Sequence, residues 1–105
     1  MTGPSRPAAD LEEIVSRFRR RDYRISEHAL ARAADEDRPN HLDVEWGVTK
    51  DRPRIITDDG GVADPRGPVV TIECEAENGQ TLWVRVNYGR ERPIIVTQFW
   101  RTARR

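Results

Sequence analysis

Apolar residues in this chain change their period about halfway along, from helical spacing to alternation. Leu11, Ile14, Val15 and Phe18 recur at helical spacing. They follow Asp10-Leu11-Glu12-Glu13, a capping-box pattern in which Asp10 caps and Glu13 reaches back. The spacing predicts a helix over roughly Leu11 to Arg20. Asp22-Tyr23-Arg24-Ile25 reads as a short extended link. Ser26 is a good N-cap, and Ile25 and Leu30 are placed for a hydrophobic staple, so a second helix is expected from Glu27. It should carry Leu30, Ala33 and Ala34 inward and stop before Pro39. Asn40, with Asp43 at the box position, caps a third helix. Its apolar content is Leu42, Val44, Trp46 and Val48, and Gly47 and Lys50-Asp51-Arg52-Pro53 bring it to an end.

From Arg54 the period is two. Arg54-Ile55-Ile56-Thr57 predicts a short strand, and Asp58 to Pro68 a loop. Val70, Ile72, Cys74 and Ala76 share one strand face, as do Leu82, Val84, Val86 and Tyr88 on the next strand. A two-residue turn would misalign these faces. A three-residue loop, Glu77-Asn78-Gly79 with Gly79 left-handed, aligns them. The opposite face then carries Thr71, Glu73, Glu75, Thr81, Trp83, Arg85 and Asn87. A last strand, Pro93 to Trp100, is partly apolar on both faces and is expected to be central or covered. The fold class is therefore α+β, with two or three N-terminal helices packed on one face of a three- to four-stranded antiparallel sheet.

A length of 105 residues suits one domain. Residues 1–9 read as a disordered lead-in without signal-peptide pattern, 10–100 as the domain, and 101–105 as a basic tail. No apolar run reaches membrane-spanning length, so no membrane partner is expected. The single cysteine, Cys74, excludes an intrachain disulfide and fits a reducing, cytoplasmic location. Net charge is zero but unevenly spread. Arg17, Arg19, Arg20, Arg21 and Arg24 crowd one segment, Arg85, Arg90, Arg92, Arg101, Arg104 and Arg105 load the end, and the middle is acidic. Two basic stretches that met in space would form a patch for polyanions, although such runs are more often solvated faces.

Ile25-Ser26-Glu27-His28-Ala29-Leu30-Ala31-Arg32 carries the candidate chemistry. The Ser26 cap puts His28 in a first turn, where the helix dipole favours a neutral, base-competent imidazole. Arg32 lies one turn on and offers a guanidinium fork for phosphate. The plainer alternative is a surface histidine with a solvated arginine. The aspartates of 58–68 lack EF-hand spacing, and there is no nucleotide loop, CxxC pair or HExxH motif. Neither a metal nor a cofactor is expected.

That helix motif, with Leu42-Asp43-Val44-Glu45, Arg54-Ile55-Ile56, Asp64-Pro65-Arg66-Gly67-Pro68, Gly79-Gln80-Thr81-Leu82-Trp83-Val84 and Ile94-Ile95-Val96-Thr97-Gln98-Phe99, resembles the bacterial domain-of-unknown-function family 4258 from about Tyr23 to Trp100. The resemblance implies a compact toxin-like fold, similar to RelE/ParE-type toxins and to barnase, colicin D and EndoU-like ribonucleases, in which a sheet face grips RNA. Phe99 stands where that family often has tyrosine, and Asp35-Glu36-Asp37-Arg38-Pro39 where it reads more like Arg-Gly.

Two functions are compatible with these residues. In the first, a metal-independent endoribonuclease, His28 is the base or acid, Arg32 and Arg85 stabilise the phosphorane, and Thr97 positions the phosphate. Trp83, Asn87 and Arg101 would contact the RNA, Trp83 by stacking. In the second, a non-catalytic interaction module, the exposed sheet face holds a protein partner such as an antitoxin or immunity protein. Zero net charge and the glutamates Glu73 and Glu75 on that face favour the second reading, while the His28–Arg32 helix and the resemblance favour the first. The first site is expected to bring His28, Arg32, Arg85 and Thr97 into one cleft.

Overall fold

Asp10 Oδ1 accepts from the Glu13 backbone N–H at 3.2 Å and opens helix α1, Leu11–Arg19. The Glu13 carboxylate does not reach back; it pairs with Arg17 one turn on, at 2.7 Å. Ile14 and Phe18 are the buried face of α1. The helix ends in a Schellman motif. Arg21 N–H donates to Phe18 O (3.0 Å) and Asp22 N–H to Arg17 O (2.7 Å), with Arg21 left-handed at φ 58° where glycine is usual. Tyr23 then stacks on Phe18, ring centroids 4.4 Å apart.

The computed structural model describes residues 9–34, 38–50, 52–58, 67–89 and 91–101. Most of the expected lead-in, positions 59–66 of the expected 58–68 loop, and the tail beyond Arg101 lie outside the described residues, while Asp58 ends the strand before that loop. Ala9 is described. It packs against the edge of the core, and its N–H donates to Asp58 Oδ2 at 2.9 Å.

The extended link forms a strand, β1 (Arg24–Ile25), followed by α2 (Glu27–Ala33) and α3 (His41–Lys50). Four further strands follow: β2 (Arg54–Asp58), β3 (Val69–Glu75), β4 (Thr81–Asn87) and β5 (Ile94–Trp100). The architecture is α+β. The sheet has five strands in the order β1-β5-β4-β3-β2 and is mixed, not purely antiparallel, because β1 runs parallel to β5. Sequence spacing could not show this, since two residues carry no alternation to read.

Ser26 caps α2 as expected, accepting from Ala29 N–H at 3.0 Å. It also ties the helix to β5: its N–H donates to Ile95 O (3.0 Å) and its hydroxyl to Val96 O (3.1 Å). The inward face of α2 is not the expected one. Ala29 is fully buried, Leu30 is 56% exposed and Ala34 is exposed. A seven-residue helix against β5 buries a single line of side chains, here Ala29 and, one turn on, half-buried Ala33. In α3 the Asn40–Asp43 box is reciprocal, with bonds of 3.0 and 2.9 Å. Val44, Gly47 and Val48 share its buried face, whereas Leu42, two residues off that spacing, is 55% exposed.

The hairpin register is the three-residue one. Cys74 pairs with Leu82 and Glu75 with Thr81, and Gly79 has φ 88°. Ile72, Cys74, Leu82, Val84, Val86 and Ile95 face the helices and meet Ile14, Phe18, Ala29, Val44 and Val48 in one core. Burying each of the larger side chains contributes about 1.5–3 kcal/mol. All three helices cover this one face.

Two β-bulges decide which side chains stay on the other face. In β5, Thr97 opposes Arg85 but Ile95 opposes Val86, leaving Val96 as the extra residue. This reversal puts Ile95 in the core while Thr97 and Phe99 face away, resolving the two-sided apolar pattern of the strand. In β2 the same device at Ile56 puts Ile55 opposite Ile72 and Thr57 opposite Thr71.

The two basic stretches do meet, across carboxylates. Asp22 pairs with both Arg17 (2.6 Å) and Arg92 (3.0 Å), and Glu45 with Arg21 (3.0 Å). These pairs offset the charge of Arg17, Arg21 and Arg92 in the expected polyanion patch. Glu45 also accepts from the Tyr23 hydroxyl at 2.8 Å; burial first, and then this bond, push the phenol well above its ordinary pKa.

Candidate functional site on the open sheet face

Strand pairing lines up two rows of side chains across the open face. Thr57, Thr71, Arg85 and Thr97 form one, and Arg54, Glu73, Trp83 and Phe99 the next. The first row and the two aromatics line a shallow cleft of about 630 Å³, with Arg38 at its rim. Neighbouring strands are ~4.8 Å apart, so each four-strand row spans about 14 Å.

Arg38 reaches the cleft from the segment between α2 and α3. Its Nη1 donates to Gln98 O on β5 at 3.1 Å. Trp83 is fixed on two sides. Its Nε1–H donates to Glu73 Oε2 at 2.7 Å, and the Arg101 guanidinium lies 5.3 Å from its ring centroid. Phe99 sits tilted against it, centroids 5.9 Å apart. The Glu73 carboxylate also accepts from Arg54 Nε (2.9 Å) and Nη2. These two partners, Trp83 first, hold its pKa below the usual value. Glu73 is thus consumed in orienting Trp83 and neutralised by Arg54.

The charged side chains lining the cleft, among the described residues, are Arg38 and Arg85; the rest of its lining is hydroxyl and aromatic. Such a surface can hold an anion between guanidinium forks and place a flat apolar group on the rings. No group of His, Cys, Asp and Glu able to hold a metal occurs among the described residues.

Arg85, Thr97 and Trp83 therefore come together, with Arg101 over Trp83. His28 and Arg32 do not join them. Both are exposed on α2, which packs on the helical side of β5, and neither lines the cleft. Asn87 shares the strand face but is 5% exposed, and its Oδ1 accepts from Gly89 N–H at 3.2 Å. It serves the turn after β4.

Arg38, Thr57, Thr71 and Phe99 complete the site. Thr71 was legible from alternation along its strand, whereas Phe99 was not, because its strand is partly apolar on both faces and the Val96 bulge sets which way it points. Thr57 was hidden by the β2 bulge, and Arg38 carries no local signal. No helix among the described residues is long and apolar enough to cross a membrane. Comparison of the chain with models of known protein families, with curated protein sequences and with solved structures returns no match.

Proposed function

We propose that this protein is a non-catalytic binding module that holds single-stranded RNA on its open sheet face, in the cytoplasm. One observation carries this reading: among the described residues, the charged lining of the cleft is two arginines, set among three threonine hydroxyls beside the Trp83–Phe99 pair. Phosphates suit the guanidinium and hydroxyl row, and unstacked bases suit the aromatic row. Cleavage has less support, because a metal-free ribonuclease needs a base at the 2′-hydroxyl and His28 does not line the cleft.

The test is titration of the protein with labelled oligouridine, followed by Trp fluorescence and anisotropy, with the RNA then checked for intactness. Wild type and His28→Ala should bind alike and leave the RNA whole, and Arg85→Ala should weaken binding about tenfold, the order of one charge-assisted contact. RNA cut by wild type but not by His28→Ala would restore the ribonuclease. Absence of any binding would favour a protein partner such as an antitoxin on this face.

A further inference from the structure

Gln98 lies on β5 with its side chain in the helical layer, only 2% exposed. A glutamine in that position carries a desolvation cost that leucine or methionine would avoid. Its Nε2 donates to two main-chain carbonyls, Ala29 O on α2 and Pro39 O, at 3.0 Å each. Its Oε1 has no hydrogen-bond partner among the described residues. The same residue's main-chain carbonyl accepts from Arg38 Nη1 at 3.1 Å.

Two bonds from one residue thus fix both ends of the Arg38 reach. The amide pins the chain at Pro39, the residue after Arg38, and the carbonyl fixes the guanidinium at the cleft rim. The fold gains no full set of hydrogen bonds from this amide, since one buried acceptor is left over. What the amide does secure is the place where the α2–α3 connection crosses β5.

Resting on the RNA-binding reading, we infer that Gln98 is a positioning residue, which sets the Arg38 guanidinium in the cleft that Arg85 also lines, so that Arg38 holds an RNA phosphate there. Arg38 makes the contact. Gln98 acts only through it.

Gln98→Met keeps the volume and removes the amide. With oligouridine as the probe, Arg38→Ala should bind about tenfold more weakly and lower the salt slope of log K by about 0.7, the loss of one phosphate contact on a single strand. Gln98→Met should reproduce both changes, and adding Arg38→Ala to it should weaken binding little further. A merely structural role would lower the thermal midpoint but leave the salt slope and the additivity alone. If Gln98→Met does not fold, Gln98→Asn, one methylene short of both carbonyls, takes its place in the same cycle. Wild-type binding that is weakened by Arg38→Ala but not by either Gln98 variant overturns the positioning role alone. Failure of wild type to bind overturns the RNA reading and this inference with it.

Discussion

Trp83 and Glu73 face each other across the β3–β4 pair, and the indole N–H donates to the carboxylate at 2.7 Å. The bond joins a large aromatic to a nearly buried charge on the open face, so the stability of the hairpin and the orientation of the site depend on the same contact. Glu73 has its folded pKa lowered from 4.5, first by Trp83 and then by Arg54. A lowered carboxyl pKa gives stability that is complete above the unfolded value and is lost as pH falls through the folded one. The urea midpoint of wild type should therefore drop on acidification below about pH 4.5, with a parallel change in Trp fluorescence. Glu73→Gln should flatten that acid limb; a limb as steep as wild type's would show that other carboxylates produce it.

Ser26→Ala removes the α2 cap and the hydroxyl bond to Val96 O together. The expected loss is about 1–2 kcal/mol by denaturant unfolding. A change within a few tenths would mean that water replaces both bonds.

Gly47 lies where α3 crosses β3. A Cβ built there meets Cys74 Sγ at 2.6 Å and Glu75 O at 3.3 Å. Gly47→Ala gains about 1 kcal/mol in helix propensity, but overpacking this buried contact costs about 1–3 kcal/mol, so net destabilisation is expected. Cys74→Ala in the same chain should recover part of the loss, measured as a coupling of at least ~0.5 kcal/mol. Strict additivity would separate the two positions.

Arg21 holds the left-handed place in the Schellman motif at φ 58°. Its ion pair with Glu45 is largely solvent-exposed on the arginine side and contributes little. Arg21→Gly should raise stability by about 0.5–1 kcal/mol by relieving the Cβ penalty. A lower thermal midpoint would show that the pair with Glu45 outweighs the strain.

Local chemistry determined much of this protein. The Asp10, Ser26 and Asn40 caps, the burial of Ile14, Phe18, Val44 and Val48, and the three-residue turn at Gly79 all follow from residues within one turn or one hairpin of each other. The tertiary structure decided the rest. Parallel pairing of Arg24–Ile25 with β5 depends on a strand some 70 residues away in the chain, as the Arg24↔Ile94 register shows. The bulges at Ile56 and Val96 reverse side-chain alternation, which period-two reading takes as unbroken, and so govern whether Thr57 and Ile95 face the cleft or the core. His28 and Arg85 each had a local warrant as site residues, from a cap and from strand alternation. Whether two such groups meet is set by the layer in which each element packs: α2 went to the helical side of β5, and Arg85 stayed on the open one. Arg38 lines the same cleft as Arg85, and Gln98 bonds both Pro39 and the Arg38 guanidinium, contacts between positions 59 and 60 residues apart that no local spacing encodes.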